Sequence, residues 1–377
     1  MPGRILFIAG EASGDLHGAG VVRALKRHRP DLDLFGVGGD QMRGEGMDVL
    51  FHIDRLAFMG FVEVLKNLRT VRELRGRLLS TLRTRKPDVA VLIDYPGFNL
   101  RFARTLSELG VPVIYYISPQ VWAWHRSRVK QMRGIVTSMK VVFPFEVEIY
   151  RSAGIDVDFV GHPIVERISC NTTRDPFFAE HGLNPTKKLV ALLPGSRNQE
   201  IEKIFPVMID AARRLVQSFG VQVAVGVAPN LGLQVLGRFP LKENGIIPVE
   251  HATYDLMHHA DVAIVTSGTA TLETGWFGTP MVIVYKTSPL TYQIGRMLVD
   301  VPNIGLANIV AGKQITPELI QGDLTSSRLF EEVSSLIADE AKAGKMRQDL
   351  GIIREKLGGP GASEKVAQSV LSFVRAA

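Results

Sequence analysis

The chain has 377 residues, 46% hydrophobic and 22% charged, which is the balance of an ordinary soluble globular protein long enough for two domains with a full core in each. A single cysteine, Cys170, excludes an internal disulfide framework; the opening "MPGRILFIAGEASGD" is no secretory signal and no apolar run reaches the ~18 residues of a transmembrane helix, so the expected location is the cytoplasm. The net charge of +6 belongs wholly to residues 1–165, with 23 Lys and Arg against 17 Asp and Glu, whereas residues 166–377 hold 21 of each; the first half should therefore face something anionic.

The first expected strand is "RILFIAG" (4–10), a short apolar run closed by Gly, as in strands buried on both faces. The loop "GEASGDLHG" (10–18) follows it. Small residues keep this loop open, and Glu11 and Asp15 bring two carboxylates, a poor setting for phosphate and a good one for sugar hydroxyls. The plain alternative makes Asp15 a helix cap. A helical stretch, "HGAGVVRALKRH" (17–28), leads to the strand "DLFGV". Neither "GAGVVR" (18–23) nor "GVGG" (36–39) has the strand–turn–helix setting of a dinucleotide fingerprint, which speaks against a nicotinamide dehydrogenase.

The stretch 56–86 begins with Phe58, Met59, Phe61, Val62 and Leu65, and residues 66–86, including Arg69 and Arg72, then carry eight Lys and Arg against one acid, Glu73. Apolar anchors beside a basic helical face suit an anionic membrane surface; the competing reading is an amphipathic helix with a solvated basic side. "DVAVLI" is the next strand, and "VLIDYPGFN" (91–99) places Asp94 at its end, where a desolvated carboxylate can serve as a general base or else cap the following helix; Asn99 reads as a cap. "PVIYYI", "MKVVF" and "VDFVG" complete the strands of the first half. Between them "SPQVWAWHRSRVKQMR" (118–133) joins two Trp, His125 and basic residues that fit either a sugar face or the core.

The second half repeats the opening scheme with "KLVALLPGSR" (188–197), the helical stretch 200–219, and the strands "QVAVGV", "GIIPV", "DVAIVT" and "MVIVY". Arg197 follows a Pro-Gly-Ser turn and is placed to pair with a diphosphate. In "TSGTATLE" (266–273), Ser267, Gly268 and Thr269 stand at the expected start of a helix, where backbone N–H groups and the helix dipole hold phosphate, and Glu273 follows about a turn later, placed to accept from vicinal ribose hydroxyls; taken alone the stretch reads equally as a plain Ser/Thr cap with a Glu favoured by the helix dipole. "DLD" (31–33) and "DVD" (156–158) match the Asp-x-Asp of metal-dependent glycosyltransferases without a fitting loop, and the nine His show no ligand spacing. Alternating strands and helices in both halves predict an α/β fold of two facing, Rossmann-like, doubly wound domains with parallel sheets, and a cleft between them as the site. The boundary is expected near "VGHPIVERI", giving residues 1–165 and 166–345, with the helices of 346–377 packing back on the first domain.

"GEASGD" (10–15), "MGFVEVL" (59–65), "IDYPGFN" (93–99), "SPQVWAWH" (118–125), "LLPGSR" (192–197), "SGTATLE" (267–273) and "NIVAG" (308–312) stand in an order that closely resembles the lipid-A-disaccharide synthase family, inverting glycosyltransferases of the GT-B fold. The resemblance runs from residue 4 to beyond 312, and its seven motifs are specific only together. It implies transfer of 2,3-diacylglucosamine from UDP-2,3-diacylglucosamine to 2,3-diacylglucosamine 1-phosphate, giving a β-1,6-linked disaccharide and UDP. It implies no cofactor, no metal required for catalysis, no nucleic-acid partner, and work at the anionic inner face of the cytoplasmic membrane in Gram-negative bacteria. Carried over by residue, Asp94 is the catalytic carboxylate, Glu273 the ribose contact, and Ser267 to Thr269 the phosphate loop. Arg197 and Asn308 belong to the donor site, and Glu11, Ser13 and Asp15 to the acceptor loop. The chain departs from the family at Gly97, where a second acid is frequent, and at His17, where an aliphatic residue is expected. Two alternatives remain: a UDP-sugar epimerase of the same fold, which would have no use for the basic stretch, and a non-catalytic nucleotide-sugar-binding protein, against which Asp94 argues.

Overall fold

A computed structural model describes residues 2–56, 68–122, 127–228, 231–289, 292–293 and 302–374. It divides into two units, Met1–Glu166 with Leu357–Ala377, and Arg167–Lys356. The first unit is built on seven strands: β1 (Arg4–Ala9), β2 (Asp33–Gly38), β3 (Asp48–His52), β4 (Val89–Ile93), β5 (Val113–Tyr116), β6 (Ser138–Val141) and β7 (Val157–Phe159). They are hydrogen-bonded in the order β3-β2-β1-β4-β5-β6-β7, every pair parallel. All five residues of "VAVLI" in β4 are buried, as a strand covered by helices on both faces requires. The chain runs outward from β1 to β3, then crosses back to place β4 against the other side of β1, so the order reverses between those two strands.

The second unit repeats this plan with β8 (Leu189–Leu193), β9 (Gln222–Gly226), β10 (Ile246–Val249), β11 (Val262–Thr266), β12 (Met281–Tyr285) and β13 (Glu318–Ile320). Their order is β10-β9-β8-β11-β12-β13, again all parallel, and the reversal falls between β8 and β11. The strands expected from the sequence are present; β3 and β13 were not expected. Both are edge strands, and neither carries a continuous apolar run: β3 buries only Phe51 of "DVLFH", and β13 is three residues long.

Helix Leu68–Thr84 turns Leu74, Leu78 and Leu82 into the core of the first unit, at a spacing of one helical turn. Each such buried leucine contributes roughly 1.5–3 kcal/mol. Arg69, Arg72, Arg75, Arg77 and Arg83 of the same helix are exposed. The anchors Phe58, Met59, Phe61, Val62 and Leu65 lie outside the described residues. No helix among the described residues is long and apolar enough to cross a membrane.

The chain leaves the first unit at Glu166 and rejoins it at Leu357, so the helix Glu340–Leu357 stays almost wholly with the second unit and only the final helix, Ala362–Leu371, returns. That last helix packs on Ala12–His28, the helix after β1. Glu166 fixes its start: the carboxylate accepts from the backbone N–H groups of Gly361 (3.2 Å) and Ser363 (2.8 Å) and from the Ser363 hydroxyl (2.6 Å). These are donors that a helix N-terminus leaves unmatched. Glu166→Ala should lower unfolding stability by roughly 1 kcal/mol, read from the shift in urea midpoint at unchanged slope; an unmoved midpoint would show the cap to be idle.

Candidate active site

In an open parallel sheet the crevice for ligands opens at the carboxyl ends of the strands, where the order reverses. In the first unit that point lies between the turns after β1 and β4, which carry Glu11 and Asp94. Asp94 and Tyr95 take left-handed backbone angles, φ 45° and 48°, an uncommon and strained choice for two successive non-glycine residues. Hydrogen bonds hold them there. Asp94 N–H donates to the Tyr116 carbonyl (3.0 Å), and the Asp94 carbonyl accepts from the Tyr115 hydroxyl (2.7 Å) and from Asn99 Nδ2 (2.8 Å). Asn99 also lies 3.3 Å from the carbonyls of Ile8 and Ile93, so this residue, read as a cap, in fact ties the ends of β1 and β4 together. Pro96 then opens the helix Pro96–Glu108, its fixed φ suiting that position.

The Tyr95 ring lies where a side chain on Gly10 would have to go, so glycine is needed there for close approach rather than for its backbone angle. The Asp94 carboxyl, partly buried, is pushed up to about 6, first by burial and then by the charge of Glu11; the backbone N–H of Tyr95 opposes the rise. A carboxylate with that pKa accepts a proton near neutral pH far more readily than an exposed one. Glu11 and Ser13 are exposed at the first turn of the helix Ala12–His28. Asp15 is not: it is 3% exposed, and its oxygens accept from the backbone N–H groups of Gly39 (2.6 Å), Gln41 (3.0 Å) and Met42 (3.2 Å). The structure thus gives Asp15 the capping task, for the helix Asp40–Gly44. His17 sets its ring edge-on to His162, centroids 6.5 Å apart.

The segment after β5 is braced from below. Glu146 is 1% exposed and accepts from the Ser118 hydroxyl (2.6 Å) and the Phe143 N–H (3.1 Å), and burial pushes its carboxyl up to about 7. Trp122 is buried edge-on against Phe145, a core contact; residues 123–126, with the second Trp and His125, lie outside the described residues. The two Asp-x-Asp matches are held as scaffold: Asp31 by Arg29, Asp33 by Arg85, Asp156 by Ser138 and Asp158 by Lys140.

In the second unit the reversal lies between the turns after β8 and β11, which are the two turns expected to hold a diphosphate. Gly268 caps the helix Thr269–Phe277 with φ 148°, a backbone angle that side-chain-bearing residues rarely adopt. Ser267 N–H donates to the Val284 carbonyl (2.9 Å), its hydroxyl donates to that of Ile304 (2.9 Å), and Thr271 Oγ1 donates to the Gly268 carbonyl (2.8 Å), which fixes the turn on three sides. Across the reversal, Arg197 caps the helix Asn198–Phe219 and pairs with Glu200 at 2.9 Å, while Glu200 also lies over Gly195. Tyr285, at the end of β12, has its hydroxyl pushed up by burial and then by Glu200.

Glu273 is partly buried on the Thr269–Phe277 helix, and its Oε1 accepts from the Tyr254 hydroxyl at 2.9 Å. Burial pushes this carboxyl up, with the Tyr254 hydrogen bond and Arg167 acting against the rise. Asn308 is fully buried: Nδ2 donates to the Thr316 carbonyl (2.9 Å) and to Glu318 (2.7 Å), and Oδ1 accepts from the Ile315 (2.8 Å) and Thr316 (3.0 Å) N–H groups. Its polar atoms are engaged in joining the helix Leu306–Ala311 to β13. Sequence reasoning passed over Tyr95, Glu200, Tyr254 and Tyr285. Tyr95 and Tyr285 stand inside the stretches "VLIDYPGFN" and "MVIVY", Glu200 lies three residues beyond "KLVALLPGSR", and Tyr254 carries no local signal. Among the described residues, Cys170 Sγ, Asp255 Oδ1 and His259 Nε2 lie within 4.8 Å of one another. Asp255 Oδ1 already accepts from the Asn171 N–H (2.9 Å), the Thr172 N–H (2.8 Å) and the Thr172 hydroxyl (2.9 Å), so this group fastens the segment that enters the second unit.

A model of the lipid-A-disaccharide synthetase family matches residues 5–373. The chain belongs to the lipid-A-disaccharide synthase family. It is 44% identical over 374 residues to a lipid-A-disaccharide synthase of Geobacter sulfurreducens, covering 98% of this chain and 97% of that one. It is 41% identical to that of Myxococcus xanthus, covering 99% and 98%. The family's enzymes are glycosyltransferases, and the fold agrees. The calicheamicin glycosyltransferase CalG4 superposes with a TM-score of 0.62 at 17% identity, covering 99% of this chain and 98% of that one. The UDP-GlcNAc 2-epimerase of Neisseria meningitidis, solved with UDP-GlcNAc, superposes at 0.66 with 13% identity, covering 98% and 100%; at that identity the likeness is one of fold alone. The two parallel-sheet units thus have the GT-B fold.

Activity that needs an ionised Asp94 should fall as pH drops through about 6, because the carboxyl is then protonated. Glu11→Gln removes the negative charge that raises this value, so the acid limb of kcat/KM for glycosyl transfer should move to lower pH; an acid limb that stays in place would separate Glu11 from Asp94.

Proposed function

We propose that the chain transfers 2,3-diacylglucosamine from UDP-2,3-diacylglucosamine to the 6-hydroxyl of 2,3-diacylglucosamine 1-phosphate, with inversion at the anomeric carbon. The observation that carries this reading is the setting of Asp94: a partly buried carboxyl beside Glu11 at the reversal of the first sheet, pushed up to about 6. One displacement suffices. The acceptor oxygen bonds to the anomeric carbon as the bond to the diphosphate oxygen breaks; the hydroxyl proton goes to Asp94, and the electron pair leaves with UDP. Negative charge gathers on the departing diphosphate, where the helix start at Gly268 and the guanidinium of Arg197 stabilise it more in the transition state than in the ground state. Glu273 receives the ribose hydroxyls, and Glu11 and Ser13 face the acceptor sugar.

Incubating the protein with both acylated glucosamines and analysing by mass spectrometry should yield the disaccharide 1-phosphate and UDP. Asp94→Ala should abolish that product while UDP affinity, measured by calorimetry, stays within about twofold of wild type; turnover persisting in this variant would remove Asp94 as the base.

The exposed arginines of Leu68–Thr84 support a resting place on an anionic bilayer, where both acylated substrates reside. Each basic residue near such a surface adds about 1 kcal/mol of attraction. Changing Arg72, Arg75 and Arg77 to Glu should release the protein from vesicles containing phosphatidylglycerol in a flotation assay; vesicle binding equal to wild type would refute the surface role.

A further inference from the structure

Helices Thr253–His259 and Thr269–Phe277 lie side by side in the second unit, and the rings of Tyr254 and Phe277 meet at 6.2 Å between centroids. Phe277 is one turn beyond Glu273 on the same helix face. The packing therefore carries the Tyr254 hydroxyl to Glu273 Oε1, at 2.9 Å. A carboxylate has about four acceptor positions on its two oxygens, and this bond occupies one of them. A free glutamate at the same place would rotate about its side-chain torsions, and ordering it on binding a ligand costs roughly 0.5–1.5 kcal/mol. The groups facing Glu273 are Tyr254, from the neighbouring helix, and Arg167, from the segment entering the unit. Both favour the charged form, the only form in which every oxygen position accepts a hydrogen bond.

We infer that Tyr254 is a positioning residue for nucleotide recognition: its hydroxyl fixes one oxygen of Glu273 and leaves the remaining acceptor positions oriented toward the vicinal hydroxyls of a ribose. The inference rests on the reading of Glu273 as the ribose contact. It makes the tyrosine a determinant of ribonucleotide selectivity rather than of diphosphate binding, because its hydroxyl bonds to Glu273.

The test compares calorimetric affinities for UDP and 2′,3′-dideoxy-UDP in wild type, Tyr254→Phe and Glu273→Gln. Phenylalanine keeps the ring that packs on Phe277, so Tyr254→Phe should melt within a few degrees of wild type. Wild type should prefer UDP by roughly tenfold or more, Glu273→Gln should lose most of that preference, and Tyr254→Phe should reduce it about fivefold, with affinity for the dideoxy analogue unchanged. A wild type that binds the two nucleotides equally would overturn the ribose reading of Glu273 and this inference with it. A wild type that discriminates, together with a Tyr254→Phe variant that discriminates as well, would overturn the role of Tyr254 alone.

Discussion

Parallel strands cannot be joined by a tight turn, because each strand ends at the edge of the sheet opposite to the one where the next begins. Every connection must cross over, and where the strand order reverses two neighbouring strands send their chains away on opposite faces. The protein meets this constraint twice, between β1 and β4 and between β8 and β11. The four turns that carry Glu11, Asp94, Arg197 and Gly268 are the four that follow those strands. The local departures from regular geometry at Asp94, Tyr95 and Gly268 gather at the same edges.

Burial at these edges acts on two carboxyls with opposite support. Asp94 lies near a second acid, so neighbouring charge adds to desolvation and poises it to take a proton. Glu273 is desolvated as well, which pushes its carboxyl up, while a tyrosine hydroxyl and an arginine act against that rise. One side-chain chemistry thus meets two environments, set apart by the partners that the fold supplies. The final helix serves the first of these settings indirectly: it packs on Ala12–His28, the helix whose first turn bears Glu11, and Glu166 caps its start.

Much of this was legible in the residues. Strands buried on both faces announce themselves as unbroken apolar runs, so β1, β4, β8, β11 and β12 could be placed from composition alone, and the residue after each run marks the sheet edge where chemistry collects. Edge position alone does not hide a strand, since β7 and β10 are edges and were expected; β3 and β13 left no such trace because neither carries an unbroken apolar run. Side-chain partnerships between distant segments were also out of reach. Asp15 and Asn308 stand in motifs expected to bind ligands, yet their polar atoms are engaged in holding Gly39–Met42 and Ile315–Glu318. Tyr254 sits 19 residues from Glu273, and only the packing of two helices brings them together.

Glycosyl transfer as proposed requires the second reversal to grip a nucleotide by its diphosphate and ribose. A crystal structure of the protein with UDP tests that directly. It should show the diphosphate against the backbone N–H groups at Ser267 to Thr269 and near Arg197, with the ribose hydroxyls on Glu273. UDP bound away from these two turns, or seated there with its ribose turned from Glu273, would contradict it.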